Sequence, residues 1–509
     1  MAEFENDFTG TAREGRGAER APILFRTECA EDYVLPDYMG DVKRILRGAA
    51  RVIPISKLVS DSGISVLATV CFSVLYLDSE DKLTEATFSK DVEDNEKLPC
   101  EVSDAYVSFN LPTVAIRLSG PRKICARAYV SGEICVTDTG VMRKNELPEG
   151  AETKKSTVHV HTAEYLCGNE REYAEELYVF EDVGADEIET VAVFPMSAVT
   201  EVSLSDSGVD ISAVARIKAI LRVDGELTHV ERDVKIEDIL DCTLEGEGYA
   251  SACVTVTDCK IDLNERTDAD GGLCTSAVVT VSAKSDARVD YNMESEIVND
   301  AFMPRMKNEC SYSTMSYESV LSSASAAVEA DFDAEGDEGG LADVLYSECN
   351  PASVTLSEKD GYYHLTADIA YLAVVMDNSG IPKVVKGEYP LDERTVIPVT
   401  RKNAKIRYTL VTENDSAVID GDKIKFLPRF KISVTELEGR EAEELCALES
   451  SECEKTGARR ITVYYPDEGE SAWQIAKKYS QRVADLISNN PDSFDQDMKA
   501  CAKRIVASE

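Results

Sequence analysis

Three long segments of strict alternation constrain the fold of this chain more than any other feature. They begin at Ile64, Val209 and Tyr363, and in each of them every second residue is apolar or aromatic for at least seven successive positions. Successive side chains of a β-strand point to opposite faces, whereas a helix repeats every 3.6 residues. The pattern therefore predicts three long antiparallel strands, each buried on one face.

The same markers flank all three segments at nearly constant spacing. A glycine-containing turn precedes each segment and an aspartate closes it: Gly63 and Asp78, Gly208 and Asp224, Gly361 and Asp377. The glycines are 145 and 153 residues apart, and the aspartates are 146 and 153 residues apart. Two markers that agree on one period indicate three divergent tandem copies of one unit.

Further alternating segments follow in every copy, which predicts antiparallel sandwiches or open barrels with short helices around them. Of these two we expect the sandwich-like form. The expected organisation is a mobile polar arm, three repeats and a tail, at residues 1–27, 28–160, 161–305, 306–458 and 459–509. The predicted fold class is mainly β, with a small strand–helix–helix–strand domain at the C-terminus.

The chain is strongly acidic, with a formal charge of −41 from 95 acidic and 54 basic residues. The electrostatic field of such a negatively charged chain repels nucleic acid and anionic membrane surfaces and favours basic partners. Neither a membrane-spanning apolar run nor a signal-peptide pattern is present, so we expect a cytoplasmic protein. The 15 cysteines include no CxxC pair and are expected to be reduced, buried thiols, with oxidised or metal-bound cysteines as the alternative.

The tail has its own pattern and a different charge balance, with six basic and eight acidic side chains in residues 461–509. Ser471 and Gln474 form a capping-box signature, followed by an apolar stripe with helical spacing. The predicted elements are a strand at 461–465, a helix from 472, a second helix from 483 and a strand at 504–506 that pairs with the first.

The segment DYVLPDYMGDVKRIL at 32–46, with the alternating segment behind it, resembles the opening of the SPOCS domain, a module of spore coat assembly proteins. In that family a Leu-Pro-Asp-Tyr stretch and an Asp-hydrophobic-Lys/Arg-Arg-Ile-Leu turn precede a long strand. The matching residues are Pro36, Asp37, Asp41, Arg44, Ile45 and Leu46. The second and third copies lack this opening, so their membership follows from the internal repeat.

The tail resembles a LysM domain, a βααβ module that commonly binds N-acetylglucosamine polymers such as peptidoglycan in a groove between two loops. The matching residues are Gly469, Glu470, Ser471, Ala472, Trp473, Ile475, Ala476, Tyr479, Asn490 and Pro491. The resemblance implies a partner- or glycan-binding site at Glu468, Gly469, Glu470, Ser471, Ala472, Trp473, Ser488, Asn489, Asn490, Pro491 and Asp492.

The tail departs from the LysM pattern at both rims of that groove. Glu470 replaces an aspartate, Ala472 replaces a leucine, and the sequence KACAKR at 499–504 replaces a Pro-Gly turn. These changes favour a protein over a sugar as the ligand. Trp473, the only tryptophan of the chain, has two open roles, a packing residue at a helix start or a partner contact.

No catalytic, cofactor or metal site is predicted. His159 and His161 fall on one face of a predicted strand, but zinc needs three or four ligands, and two ordinary surface histidines are the preferred interpretation. The acidic segment 331–343 has calcium-loop spacing with Ala342 where a bidentate glutamate is required. A solvated acidic loop is expected there instead. Neither a P-loop nor a GxSxG motif occurs.

SPOCS-like repeats that end in a LysM-like module resemble coat morphogenesis factors of spore-forming bacteria. In such factors the LysM module is implicated in docking onto a SpoIVA-like ATPase, the spore coat morphogenetic ATPase that polymerises around the forespore. The resemblance implies a non-enzymatic scaffold in the mother-cell cytoplasm, at the forespore surface, with this ATPase and other coat proteins as partners. The alternatives are a cell-wall protein that binds peptidoglycan through its tail and, third, a metal-dependent enzyme.

Overall fold

A computed structural model of the chain describes residues 18–19, 22–60, 63–98, 102–138, 147–242, 247–267, 272–335, 340–452, 461–467, 469–501 and 504–508. Within these ranges antiparallel strands dominate, which confirms the mainly β fold class. The helices are α1 (Ala472–Lys478), α2 (Val483–Asn489) and a 3₁₀ turn at Ala185–Glu187. None of these described helices has the length and apolar character needed to cross a membrane.

The strands are, in chain order, β1 (Ala18–Glu19), β2 (Ile23–Val34), β3 (Val42–Ser60), β4 (Gly63–Asp78), β5 (Leu83–Lys97), β6 (Val102–Phe109), β7 (Thr113–Gly120), β8 (Lys123–Asp138), β9 (Glu152–Glu181), β10 (Ile188–Ser205), β11 (Gly208–Val223), β12 (Glu226–Leu240), β13 (Gly248–Thr267), β14 (Leu273–Phe302), β15 (Met306–Glu329), β16 (Phe332–Glu335), β17 (Leu341–Lys359), β18 (Tyr362–Asp377), β19 (Pro382–Pro398), β20 (Lys405–Asp420), β21 (Lys423–Glu452), β22 (Ile461–Tyr464) and β23 (Ile505–Ser508).

Each predicted alternating strand is the middle strand of a three-stranded antiparallel sheet. The sheets have the orders β3-β4-β5, β10-β11-β12 and β17-β18-β19. The middle strands are 16 residues long and bury the predicted face, which confirms the three alternating strands. Asp360 and Gly361 have left-handed φ angles of 53° and 80°, as a two-residue turn between β17 and β18 requires.

The three closing aspartates do not have the same structural role. Oδ1 of Asp78 and Oδ1 of Asp377 each accept hydrogen bonds from backbone N–H groups two and four residues later. Asp224 instead lies with Gly225 in a two-residue turn, at a left-handed φ of 51°. The first and third copies therefore share a turn held by a side chain, which the second copy replaces with a tighter one.

A second layer of strands covers the buried face of each three-stranded sheet. Core residues that share one cluster across the two layers are Phe72 with Ala128, Ile217 with Val279, and Ile369 with Phe430. These pairs join β4 to β8, β11 to β14 and β18 to β21. Each copy is therefore sandwich-like, as antiparallel sheets with one apolar face require.

The three sheets also contact one another in a closed cycle. Cα atoms approach within 8 Å between β5 and β10, between β12 and β17, and between β19 and β3. Leu75, Ile220 and Val374, one from each middle strand, are fully buried in one shared cluster. This shared cluster explains why the later part of each middle strand has consecutive buried residues, where alternation alone predicts one buried face.

A buried ion pair lies where the second and third copies meet. Lys218, on the face of β11 that alternation predicts to be polar, binds the carboxylate of Asp415 on β20, and neither side chain is more than 10% exposed. Lys218 Nζ also donates to the carbonyl of Ser347, at 2.9 Å. Burial raises the pKa of Asp415, against the lowering effect of Lys218. The charges are tolerated because each is hydrogen-bonded.

Arg122 holds the SPOCS-like opening of the first copy. Its guanidinium donates to the carbonyls of Leu35, Pro36 and Met39 at 2.7–3.2 Å and to Oδ1 of Asp41 at 2.9 Å. The first part of the motif thus forms a loop between β2 and β3 that is hydrogen-bonded to Arg122. The rest of the motif (Arg44, Ile45 and Leu46) lies within β3 and forms no turn.

Contacts divide the chain into two compact units. The first unit comprises residues 1–139, 162–291 and 320–437, and the second comprises 140–161, 292–319 and 438–509. Four strands, β9, β14, β15 and β21, contribute residues to both. The predicted boundaries at 160, 305 and 458 follow the period of the sequence, and the units divide the chain at other places. The predicted arm, 1–27, falls largely outside the described residues.

The expectation of short helices around the repeats is wrong for the described ranges of residues 28–458. They contain one 3₁₀ turn and no α-helix. The reason is that strands follow one another through short connections, many of two to four residues, which leave no segment long enough for a helix.

Candidate docking module in the C-terminal tail

The tail folds as the predicted strand–helix–helix–strand arrangement. β22 and β23 pair antiparallel, with Val463 opposite Val506. The hydroxyl of Ser471 accepts from the N–H of Gln474 at 3.3 Å, and Oε1 of Gln474 accepts from the N–H of Ser471 at 2.8 Å. This reciprocal capping box starts α1 where the sequence predicts it.

The core of the tail includes one side chain from outside the tail. Fully buried residues of the tail cluster are Ala472, Ile475, Ala476, Leu486 and Ile505. Phe302, the last residue of β14, is also fully buried in this cluster. A segment of about fifty residues buries little apolar surface by itself, so Phe302 is a substantial part of this core.

Trp473 is engaged within the second unit. Its indole Nε1 donates to Oδ2 of Asp300 at 2.9 Å, and its ring lies edge-on to Phe302 with centroids 5.1 Å apart. The side chain is partly buried. These are the contacts of the packing role; a partner contact stays a prediction.

Asp300 receives two further donors. Lys477 Nζ lies 2.5 Å from Oδ1, and the hydroxyl of Tyr312 on β15 donates to the same oxygen at 2.9 Å. Partial burial raises the pKa of Asp300, but the hydrogen bonds from Lys477, Trp473 and Tyr312 outweigh this and hold the pKa below its usual range. Two of the three donors come from α1, so the carboxylate joins the tail to β14.

The turn between β14 and β15 makes reciprocal backbone contacts with the end of α1. The N–H of Arg305 donates to the carbonyl of Ser480 at 2.7 Å, and the hydroxyl of Ser480 donates to the carbonyl of Met306 at 3.0 Å. Asn308 fixes this turn by accepting from the N–H of Met303 and donating to its carbonyl. We call residues 300–312, with these contacts, the β14–β15 corner.

The first predicted loop, Glu468–Ala472, is largely used for internal bonds. Glu470 accepts from the hydroxyl of Tyr464 at 2.8 Å, and Ala472 is fully buried. The N–H of Ala472 donates to the carbonyl of Met498, and the N–H of Ala500 donates to the carbonyl of Glu470. Gly469 is exposed, and Glu468 lies outside the described residues.

The second predicted loop, Ser488–Asp492, has one structural residue and four exposed ones. Asn490 is buried; its amide donates to the carbonyls of Leu486 and Val506 and accepts from the N–H of Val506, at 2.7–2.8 Å. It therefore ties α2 to β23. The exposed positions are Ser488, Asn489, Pro491 and Asp492.

Besides Met498, the large exposed apolar side chains among the described residues of the tail lie elsewhere, on the outer face of the β22–β23 sheet. Ile461, Val463 and Tyr465 are 75%, 49% and 69% exposed, and Val506 beside Val463 is 39% exposed. We call these four residues the outer face. The predicted site does not include this face, although ITVYY places Ile461, Val463 and Tyr465 on one side of its strand and Tyr464 on the other, and only one of these sides can face the helices.

The two metal-site alternatives have other arrangements in the structure. His159 is exposed, but His161 is only 2% exposed. The prediction that both are surface histidines is therefore wrong for His161. Phe332–Glu335 is strand β16, paired with β21, and Asp331 pairs with Lys425 at 2.9 Å, so this part of 331–343 is no solvated loop. Residues 336–339 fall outside the described ranges. Across the described part of the chain, no group of three His, Cys, Asp or Glu residues could hold a metal.

The thiols are not all buried as expected. None of the cysteines that the structure describes forms a disulfide bond. Five of them are buried, whereas Cys167, Cys253, Cys446 and Cys501 are exposed.

Comparison with known proteins yields no match: no family model, curated protein or solved structure is significantly similar to this chain.

Proposed function

We propose that this chain is a non-enzymatic scaffold for spore coat assembly that docks through its tail onto the spore coat morphogenetic ATPase. The observation that supports the proposal most directly is the outer face, an apolar surface of Ile461, Val463, Tyr465 and Val506 on a protein with abundant charge. Contiguous exposed apolar patches on soluble proteins mark interaction surfaces.

The chemistry of the outer face favours a protein partner over a glycan. Polymers of N-acetylglucosamine present hydroxyl and amide groups, which need polar groups placed to receive them. In the first predicted loop, Glu470 is bonded to Tyr464, and in the second, Asn490 is bonded to backbone. The first 460 residues carry nearly all of the −41 charge, which favours a partner with basic surfaces.

A binding measurement with the full chain and the purified ATPase tests the proposal. Val463→Asp places a charge on the outer face at an exposed position, so we expect the tail to stay folded while affinity falls at least about tenfold, or ~1.4 kcal/mol. Gln496→Glu adds the same charge at an exposed tail position outside the outer face and outside both predicted loops, and this variant is expected to bind the ATPase like the unchanged chain.

Two outcomes would overturn the docking proposal. One is unchanged binding of the Val463→Asp chain to the ATPase. The other is sedimentation of the full chain with peptidoglycan at micromolar concentration, abolished by Asn489→Asp, which would favour the glycan alternative. A fluorescent fusion of the full chain is expected to form a ring around the forespore in sporulating cells; a signal at the cell wall would contradict a coat scaffold.

A further inference from the structure

The copies differ at the side where the edge strands of their two layers meet. In the first copy Tyr33 of β2 stacks on Phe88 of β5, with ring centroids 4.4 Å apart. In the third copy Phe332 of β16 stacks on Tyr389 of β19, with centroids 4.2 Å apart. In each case the two strands are edge strands of different sheets. An aromatic pair therefore closes this side of the first and third copies.

The second copy has a charged residue at the corresponding place. Phe88 lies opposite Phe72, the tenth residue of β4, and Arg232 of β12 lies opposite Ile217, the tenth residue of β11. Opposite residues of an antiparallel pair share one face, and Ile217 is fully buried in the core. Arg232 thus has a core-facing position, yet it pairs with Glu175 of β9 at 3.2 Å and is half exposed.

An open groove of about 750 Å³ lies at this place, lined by residues 173–175 of β9 and 231–235 of β12. β9 and β12 are edge strands of the sheets β13-β14-β9 and β10-β11-β12. An edge strand presents backbone N–H and C=O groups that no neighbouring strand pairs. The lining segment of β12 extends about 13 Å at ~3.3 Å per residue. The groove therefore has the length and the backbone groups for a short added strand.

Carboxylates outnumber cations among the residues that line the groove. Glu175, Glu231 and Asp233 are acidic, whereas Arg232 and Lys235 are basic. The whole chain has a formal charge of −41. A cleft lined by one sign of charge raises the local concentration of ligands with the opposite sign. The charge of the groove therefore favours a basic ligand.

We propose that the groove between β9 and β12 binds an extended, lysine- or arginine-rich segment of a partner protein, which joins β12 as an additional strand. Strand addition of this kind derives its affinity from main-chain hydrogen bonds and its specificity from alternate side chains. The second copy alone has this site, because aromatic pairs close the corresponding side of the first and third copies. The proposal does not rest on the tail or on its docking partner.

A fluorescein-labelled decapeptide of alternating lysine and threonine is the probe, because it is basic and has high β-propensity at every second position. Fluorescence anisotropy measures its affinity for the full chain. Arg232→Phe places in β12 the ring that the first copy has at this position, and we expect the affinity to fall about tenfold, because the ring fills the groove. The same substitution makes the chain more acidic, so attraction by charge alone would tighten binding. Unchanged or tighter binding would overturn the proposal.

The matched control is Arg127→Phe on β8. Arg127 is 56% exposed in its pair with Glu28, on a strand of the first copy that does not line the groove. This variant loses the same charge and gains the same ring, and it is expected to bind the peptide at least as tightly as the unchanged chain. An equal loss of affinity in the Arg127→Phe and Arg232→Phe variants would contradict a site in the groove.

A second peptide tests the main-chain hydrogen bonds without any change to the protein. Methylation of every backbone nitrogen of the decapeptide keeps its charges and side chains but removes its N–H donors. We expect this peptide to bind about tenfold more weakly than the unmethylated one. Equal affinity of the two peptides, or no binding of the unmethylated peptide at about 1 mM, would overturn strand addition.

Amide hydrogen exchange locates the bound peptide. Saturation with the unmethylated decapeptide should slow exchange in residues 231–235 of β12, because the added strand pairs with this edge. Slowing that is confined to other parts of the chain would overturn the assignment of the site. None of these measurements uses the ATPase, so failure here is distinguishable from failure of the docking proposal.

Discussion

Arg47 on β3 and Glu348 on β17 form an ion pair across 301 residues of sequence, with Nη2 2.7 Å from Oε2. The guanidinium also lies over the rings of Phe194 and Tyr346, at 4.9 and 4.8 Å from their centroids. One side chain of the first copy thus contacts both the second and the third. The pair lies at the point where the cycle of sheets closes.

Replacement of Arg47 tests how far this closure depends on the pair. Arg47→Met leaves the Glu348 carboxylate poorly exposed and without its cation, so we expect a loss of about 3 kcal/mol in the free energy of unfolding. Urea denaturation of the full chain measures it. Lys43→Met is the control, because its pair with Asp81 is about half exposed, and should cost less than about 0.5 kcal/mol. Equal effects would contradict a structural role for the buried pair.

Arg122 should be the residue that orders the SPOCS-like opening. Arg122→Met removes the donors to three carbonyls and to Asp41, and we expect a loss of about 1–2 kcal/mol. Hydrogen exchange should accelerate at the N–H groups of Leu35 and Val42, which donate to the carbonyls of Arg122 and Pro121. Arg127→Met, at an exposed pair 3.4 Å from Glu28, is the control. Equally fast exchange in the Arg122→Met and Arg127→Met variants would contradict a special role of Arg122.

Neighbouring asparagines in the second tail loop allow a matched comparison. Asn490→Ala removes three hydrogen bonds that join Leu486 to Val506, and leaves buried backbone groups unsatisfied. We expect the tail to lose about 2 kcal/mol of stability, seen in the thermal transition of Trp473 emission. Asn489→Ala, at the exposed adjacent position, should shift that transition little. A larger shift of the transition in Asn489→Ala than in Asn490→Ala would mean that other contacts hold the loop.

Acidification should loosen the contact of Asp300 with α1. Burial raises its pKa, but donors on two elements, Lys477 and Trp473 on α1 and Tyr312 on β15, hold the pKa below the usual range. Stabilisation by such a group is complete above its unfolded pKa of about 3.9 and is lost as pH falls through the lower folded value. We therefore expect a step in Trp473 emission below about pH 4. Asp300→Asn should abolish this step, and its persistence would assign it to other carboxyl groups.

Much of the local structure could be predicted from the residues. Alternation located β4, β11 and β18 almost to the residue, because burial of one face leaves a period-2 pattern in the chain. Ser471 and Gln474 located the start of α1, because a capping box is a local device. The nearly constant spacing of the aspartates did not reveal that the turn at Asp224 differs from those at Asp78 and Asp377, since aspartate suits both kinds of turn.

The contacts between copies left no such local pattern. Lys218 was placed on the polar face of its strand, and only the approach of Ser347 and Asp415 from the third copy makes that face buried. Asp300 and Phe302 likewise lie outside every segment that the sequence analysis singles out. Their contacts with the tail join residues more than 170 positions apart in the sequence, as Asp300 and Trp473 are. No periodic pattern of residues encodes a contact over that distance.

The closed cycle of sheets also means that the first copy is synthesised well before the third copy that it contacts. At roughly 5–20 residues per second, a ribosome needs on the order of half a minute to proceed from Arg47 to Glu348. Throughout that interval the first copy has no third copy to cover Leu75 and Leu77, which are buried in the shared cluster. The nascent first copy therefore keeps part of this apolar surface uncovered until β17 and β18, which supply Leu345, Tyr346 and Val374 to the cluster, have left the ribosome.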